Sequence, residues 1–210
     1  MLNREYPDHE LFKKYLEDLA EEDYEVLMRL GEHHDLPVSS FQRLPMLPET
    51  MRILDIIRGI APDNLLDVGA GRGTFIWRLL DEYRNMSVTA IDNNQERIDI
   101  ISAVSKGGIY NLIGKKADAT DLHIFPFSAF DVTTVLKVLE YIPDIEEAIT
   151  ELFRVTKRFL IVQYPIADTN NPDQQPILKR EELVELFSQH DPMQLKCEAV
   201  SNYYIVVVRK

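Results

Sequence analysis

Asp67-Val68-Gly69-Ala70-Gly71-Arg72-Gly73-Thr74 is the stretch whose reading decides the fold. A short apolar run, Asn64-Leu65-Leu66-Asp67-Val68, leads into it and reads as a buried strand; Thr74 to Tyr83 follows and reads as a helix. A glycine-rich turn between strand and helix lets backbone approach a ligand closely, and the helix after it presents free N–H groups to an anion. The dinucleotide fingerprint G-x-G-x-x-G is not met here: counted from Gly69 its last place falls on Thr74, and counted from Gly71 on Ile76. What stands complete is D-x-G-x-G-x-G.

Downstream of this turn, strands and helices alternate. Ser87 to Ile91 reads as a second strand, Gln95 to Val104 as a helix, and Tyr110 to Gly114 as a weaker third strand. Phe130 to Leu136 is rich in β-branched residues and reads as a fourth strand. Asp144 to Thr156 reads as a helix, with Asp144 and Glu147 at capping-box spacing. Phe159 to Tyr164 is a fifth strand and Lys179 to Gln189 a helix; Gln194 to Val200 and Tyr203 to Val208 close the chain as two strands. Only Ser201-Asn202 joins the last two, too short for a parallel crossover. The expectation is an α/β, doubly wound, mostly parallel seven-stranded sheet with one antiparallel strand from a C-terminal hairpin, Rossmann-like in plan.

Upstream the pattern is helical. Leu11, Phe12, Tyr15, Leu16 and Leu19 recur at helix spacing, and Tyr24, Leu27 and Met28 continue it between a possible cap at Asp23 and a stop at Gly31. Asp35 to Pro48 holds three prolines and reads as a loop, and Glu49 to Ile60 resumes a helix. Two units are expected: residues 1–48 as a helical segment that, from its position, could lie as a lid over the domain, and 49–210 as the α/β domain itself. Asp168 to Pro176 is the other long loop.

A length of 210 residues with 45% hydrophobic content supports one domain with a sizeable core and excludes a disordered chain. The single cysteine excludes an intramolecular disulfide framework and a Cys-rich zinc site, and no metal is expected. Cys197 reads as a buried strand residue, and Phe75 and Trp77 as core. Met1 to Ala20 lacks the apolar region of a signal peptide, and no run is long enough to span a bilayer, so a cytoplasmic location is expected. With 35 acidic against 23 basic residues, the net charge is -12, which argues against a broad phosphate-binding surface and so against nucleic acid.

Three further motifs follow the glycine loop in order. Asp92 ends the second strand, 25 positions after Asp67 (92 minus 67). Lys116 to Leu122, then Phe127 and Phe130-Asp131-Val132, join the third strand to the fourth. Val135-Leu136-Lys137-Val138-Leu139-Glu140-Tyr141-Ile142-Pro143-Asp144 follows the fourth. With D-x-G-x-G-x-G these make residues 50 to 210 resemble the class I S-adenosylmethionine-dependent methyltransferases, the broad group that holds many small-molecule methyltransferases.

The resemblance implies S-adenosylmethionine as cofactor and S-adenosylhomocysteine as product. It implies that Asp67 and the loop Gly69, Ala70, Gly71 and Gly73 hold the methionine portion. Asp92, beside Asn93, would hold the ribose, Asp118 and Ala119 would face the adenine, and Val135 and Leu136 would add backbone and apolar contacts. The residues alone leave other roles open: Asp67 satisfying its own turn, Asp92 capping the helix near Asn94, and Asp118 and Asp121 serving as loop caps.

Methyl transfer from a sulfonium is an in-line displacement that needs alignment and dryness more than acid–base groups. Relatives often carry His where this chain has Tyr141, so the catalytic residue is open, with Tyr141, Glu140, His33 and His34 as candidates. Leu136-Lys137-Val138-Leu139 after the fourth strand lacks the Asn/Asp-Pro-Pro-aromatic signature of enzymes acting on planar amides and nucleobase amines. A small-molecule acceptor is therefore favoured. The alternatives are a methyltransferase acting on protein or RNA, and a cofactor-binding regulatory protein without turnover.

Overall fold

A computed structural model describes residues 44–210 apart from 84, 107, 108, 110, 169 and 170. The helical pattern expected over residues 1–43, including His33 and His34, lies outside the described residues.

Numbered from Pro48 onward, the elements are α1 (Pro48–Ile60), β1 (Asn64–Val68), α2 (Thr74–Glu82), β2 (Ser87–Asp92), α3 (Gln95–Lys106), β3 (Leu112–Lys116) and β4 (Phe130–Leu136). A 3-10 turn (Leu139–Tyr141) follows, then α4 (Ile145–Val155), β5 (Thr156–Pro165), α5 (Arg180–Ser188), β6 (Gln194–Val200) and β7 (Tyr203–Arg209). The seven strands form one sheet in the order β3-β2-β1-β4-β5-β7-β6. Only β7 runs against the rest, pairing antiparallel with both β5 and β6. This is the doubly wound, mostly parallel sheet with a terminal hairpin that the alternation and the Ser201-Asn202 turn dictate.

Two apolar layers hold the sheet, one on each face, because a parallel strand flanked by crossover helices must bury both of its faces. On one face Ile53, Leu54 and Ile57 of α1, Ile76 and Trp77 of α2 and Ile101 of α3 pack on Leu65, Val132, Ile161 and Ile205. On the other, Ile149 and Leu152 of α4 with Leu183 and Phe187 of α5 pack on Leu66, Val135, Val162 and Val206. Phe75 and Trp77 are buried in the first layer, as their positions in α2 suggest.

Several element edges move for identifiable reasons. β3 begins at Leu112, which pairs with Val88, and the ladder runs on until Lys116 meets Asp92; Tyr110 lies outside the described residues. Thr156 starts β5 instead of ending α4; its hydroxyl donates to the Leu152 carbonyl at 2.6 Å and contacts the Thr133 hydroxyl at 2.7 Å, turning the chain into the sheet. Asp144 caps α4 as its spacing suggests, accepting from the Glu147 N–H at 3.1 Å. Cys197 is half-buried rather than buried, because β6 is an edge strand; burial still pushes its thiol above the ordinary range.

Ile161 is fully buried between β4 and β7 beneath the α1 layer. Ile161→Ala should lower unfolding stability by about 2–5 kcal/mol in a urea titration, with the slope of the transition preserved.

Candidate functional site

Strand order reverses at β1: the chain steps outward through β2 and β3, then crosses back to lay β4 on the other side of β1. Loops leaving β1 and β4 diverge at such a point and open a crevice at the carboxyl ends of the strands. A cleft of about 840 Å³ lies there, a volume suited to a cofactor-sized ligand.

Of the glycine loop, Gly69 lines this cleft, whereas Ala70, Gly71 and Gly73 do not. Gly69 takes φ +70°, and a Cβ built on it would collide with Cγ2 of Val138, so the turn after β4 presses directly on the bare backbone. Val138 is aimed there by Lys137, whose φ of +60° is a left-handed conformation rarely adopted outside glycine. The Lys137 N–H donates to the Gln163 carbonyl at 3.0 Å, fixing that kink to β5. From the other side, the Ala70 N–H donates to the Ile91 carbonyl at 2.9 Å and the Gly71 N–H to Oδ2 of Asp92 at 2.9 Å.

Asp92 is buried at the end of β2. Its Oδ1 accepts from the Asn94 N–H at 2.9 Å, and both oxygens stand 3.4 Å from Nη1 of Arg97. Capping of α3 falls to Asn94, whose Oδ1 accepts from the N–H groups of Glu96 and Arg97. The Asp92 carboxylate is therefore committed to the glycine loop and the cleft wall.

Asp67 is buried on the α1 face of β1, away from the cleft wall, and its Oδ1 accepts from the Thr134 hydroxyl at 2.7 Å. Burial raises its pKa to about 7, and the Thr134 hydrogen bond only partly opposes this. Asp118 accepts from the N–H and hydroxyl of Thr120 at 3.0 and 2.8 Å, and lines the cleft together with Asn93 and Ala119. Val135 and Leu136 belong to β4 just below the wall residues Lys137 and Val138.

Of the candidate acceptor-side groups, Tyr141 lines the cleft, and its hydroxyl lies 3.4 Å from Nδ2 of Asn171. Glu140 is 3% exposed and does not line the cleft; among the described residues its Oε2 has no hydrogen-bond partner, and burial raises its pKa to about 7 against a weaker pull from Lys137.

The wall also holds Arg97, Lys137, Asn171 and Asp173, which the sequence motifs do not single out. Arg97 carried a readable signal, one helical turn beyond the Asp92 strand end. Asn171 and Asp173 carried none, since only the packing of the loop after β5 brings them here. Carboxylates of Asp92, Asp118, Asp144 and Asp173 outnumber the cations of Arg97 and Lys137 around the cleft, a balance that favours a cationic ligand. Among the described residues no cluster of three His, Cys, Asp or Glu side chains could hold a metal ion.

Residues 65–158 match the profile of a family described as a methyltransferase domain. The ubiquinone/menaquinone biosynthesis C-methyltransferase UbiE of Brucella canis is 32% identical over 105 residues, covering 47% of this chain and 39% of that protein. The chain thus spans about two fifths of the length of the curated relatives it matches. Among solved structures, the [4+2]-cyclase SpnF superposes with a TM-score of 0.62 at 20% identity, over 76% of this chain and 80% of that one. The N-terminal domain of EvdMO1, solved in the presence of S-adenosylhomocysteine and D-fucose, gives 0.61 at 14% identity, over 77% and 82%. Residues 65–158 thus resemble a methyltransferase domain, and the sheet and its flanking helices share the fold of these solved structures.

The loop geometry separates two glycines that look alike in sequence. A Cβ on Gly71 would meet nothing, so Gly71→Ala carries only the left-handed strain of φ +57°, about 1–2 kcal/mol. Gly69→Ala adds a collision with Val138, a further 1–3 kcal/mol or so. Thermal unfolding should rank the proteins wild type, Gly71→Ala, Gly69→Ala in falling order of Tm.

Proposed function

We propose that this chain binds S-adenosylmethionine in the cleft and transfers its methyl group to a small-molecule acceptor, releasing S-adenosylhomocysteine. The observation that carries this reading is the Asp92 carboxylate, held buried at the end of β2 and tied to Gly71 in a cleft with an excess of negative charge. The residues fit the group: a bare backbone at Gly69, a carboxylate with several lone pairs for two ribose hydroxyls, and a wall of Asn93, Asp118 and Ala119 for the base.

When bound, the cofactor supplies a methyl group on a cationic sulfur. The chain contributes position and exclusion of water, for which no metal is required. The loop from Gly69 to Gly73 would take the methionine end, with the buried Asp67 carboxylate just before it in β1 acting through its charge, and Asp92 would take the ribose. Lys137 and Val138, just beyond Val135 and Leu136, bound the floor on the β4 side, and Tyr141 stands on the acceptor side.

Residues 1–48 form the cover over that side in this reading. The acidic balance of the chain supports a small molecule over nucleic acid. No helix among the described residues is long and apolar enough to cross a membrane, and a cytoplasmic location belongs to the same proposal.

Calorimetric titration tests the reading, with saturable binding expected for S-adenosylmethionine and S-adenosylhomocysteine and none for NAD. Binding of NAD alone, or of none of the three, would refute it. The pH dependence carries a sign. Free Asp67, raised to about 7 by burial, is largely protonated at pH 5.5, and the ammonium of the methionine end favours its ionised form. Binding therefore expels a proton at low pH, and the Kd for S-adenosylhomocysteine should fall as pH rises from about 5.5 to 7. Asp67→Asn should flatten that dependence.

A further inference from the structure

Gln163 is 1% exposed, and among the described residues neither Nε2 nor Oε1 of its side chain has a hydrogen-bond partner. A buried primary amide left empty at both ends is costly and calls for a reason. Its neighbours in the chain, Val162 and Tyr164, pack in the α4–α5 layer, and side chains alternate along a strand. Its cross-strand partners Leu136 and Ile205 pack in the α1 layer. The Gln163 amide therefore faces α1, on the same side of the sheet as Asp67. Asp67 pairs in register with Thr134, and Gln163 with Leu136, so Gln163 lies two residues further toward the strand ends and two strands across. That offset is about 7 Å along the strands and about 10 Å across them.

A second empty polar end belongs to the same layer. Glu49 opens the buried stripe Glu49, Ile53, Ile57 of α1; it is 4% exposed and its Oε2 has no partner among the described residues. Helix α1 is fixed to this region by Arg52, which donates to Glu198, and Glu198 pairs with Ile205 beside Gln163. Glu49 sits about one helical turn beyond Arg52, toward the strand ends. Gln163 and Glu49 do not satisfy each other, so three hydrogen-bonding atoms face one layer without a complement.

Resting on the methyltransferase reading, we infer that Gln163 is the specificity-determining residue for the methyl acceptor. Its amide reads the edge of a neutral molecule that presents a hydrogen-bond donor beside an acceptor, as a carboxamide or lactam does. Glu49 takes a further donor from the same molecule. A site built around paired hydrogen bonds rejects analogues that lack them, because its own buried groups then stay empty.

The test uses the full chain saturated with S-adenosylhomocysteine and two probes, benzamide and methyl benzoate, followed by NMR shifts of the side-chain amides. Benzamide should perturb the Gln163 NH₂ signals and bind about tenfold more tightly than methyl benzoate, which has no donor. Gln163→Met should abolish that preference. The same variant removes an unsatisfied amide, so without ligand its Tm should rise by about 2–4 °C. A lower Tm in Gln163→Met, or wild-type protein that binds S-adenosylhomocysteine yet does not prefer benzamide, overturns the inference and leaves the cofactor reading standing. Wild-type protein that binds no S-adenosylhomocysteine overturns both.

Discussion

The hydrogen bond from the Gly71 N–H to Asp92 joins the two halves of the site. Asp92 closes β2, Gly71 lies in the loop after β1, and these strands are neighbours only because the sheet is parallel in this order. A carboxylate at the end of a buried strand needs partners, and the three it finds here are the loop N–H, the Asn94 N–H and Arg97. The glycine loop is thereby drawn toward β2, which leaves its opposite side free to meet the turn after β4.

That second contact explains an oddity of the chain. Lys137 occupies a backbone conformation that disfavours side chains, and the consequence is Val138 seated on the bare Cα of Gly69. Strain at one residue and the absence of a Cβ at the other belong to one junction between β1 and β4, at the switch in strand order. The cleft is the space left between that junction and the Asp92 wall.

Much of this was legible in the residues. The βα alternation and the two-residue Ser201-Asn202 link dictate the sheet, and the D-x-G-x-G-x-G spacing marks its loop. Asp92, Asn93, Asp118 and Ala119 all stand on the cleft wall. Less legible was what each carboxylate does locally: Asp67, written into the loop motif, turns away to Thr134, and the capping of α3 passes to Asn94. These outcomes depend on side-chain direction and burial, which spacing does not encode. Gln163 looked like an ordinary strand residue, and only its two empty amide atoms set it apart.

Folds of this kind support more than one chemistry, as the superposition on a protein named a [4+2]-cyclase makes plain, so the account stands on the site rather than on the sheet. In the proposed reaction Asp92 is the anchor of the cofactor. The most direct measurement is the affinity of S-adenosylhomocysteine for Asp92→Ala against wild type, with circular dichroism confirming that the variant folds. Loss of hydrogen bonds to a buried carboxylate predicts a Kd raised about 10- to 100-fold. A folded variant that binds within about twofold of wild type would contradict the account.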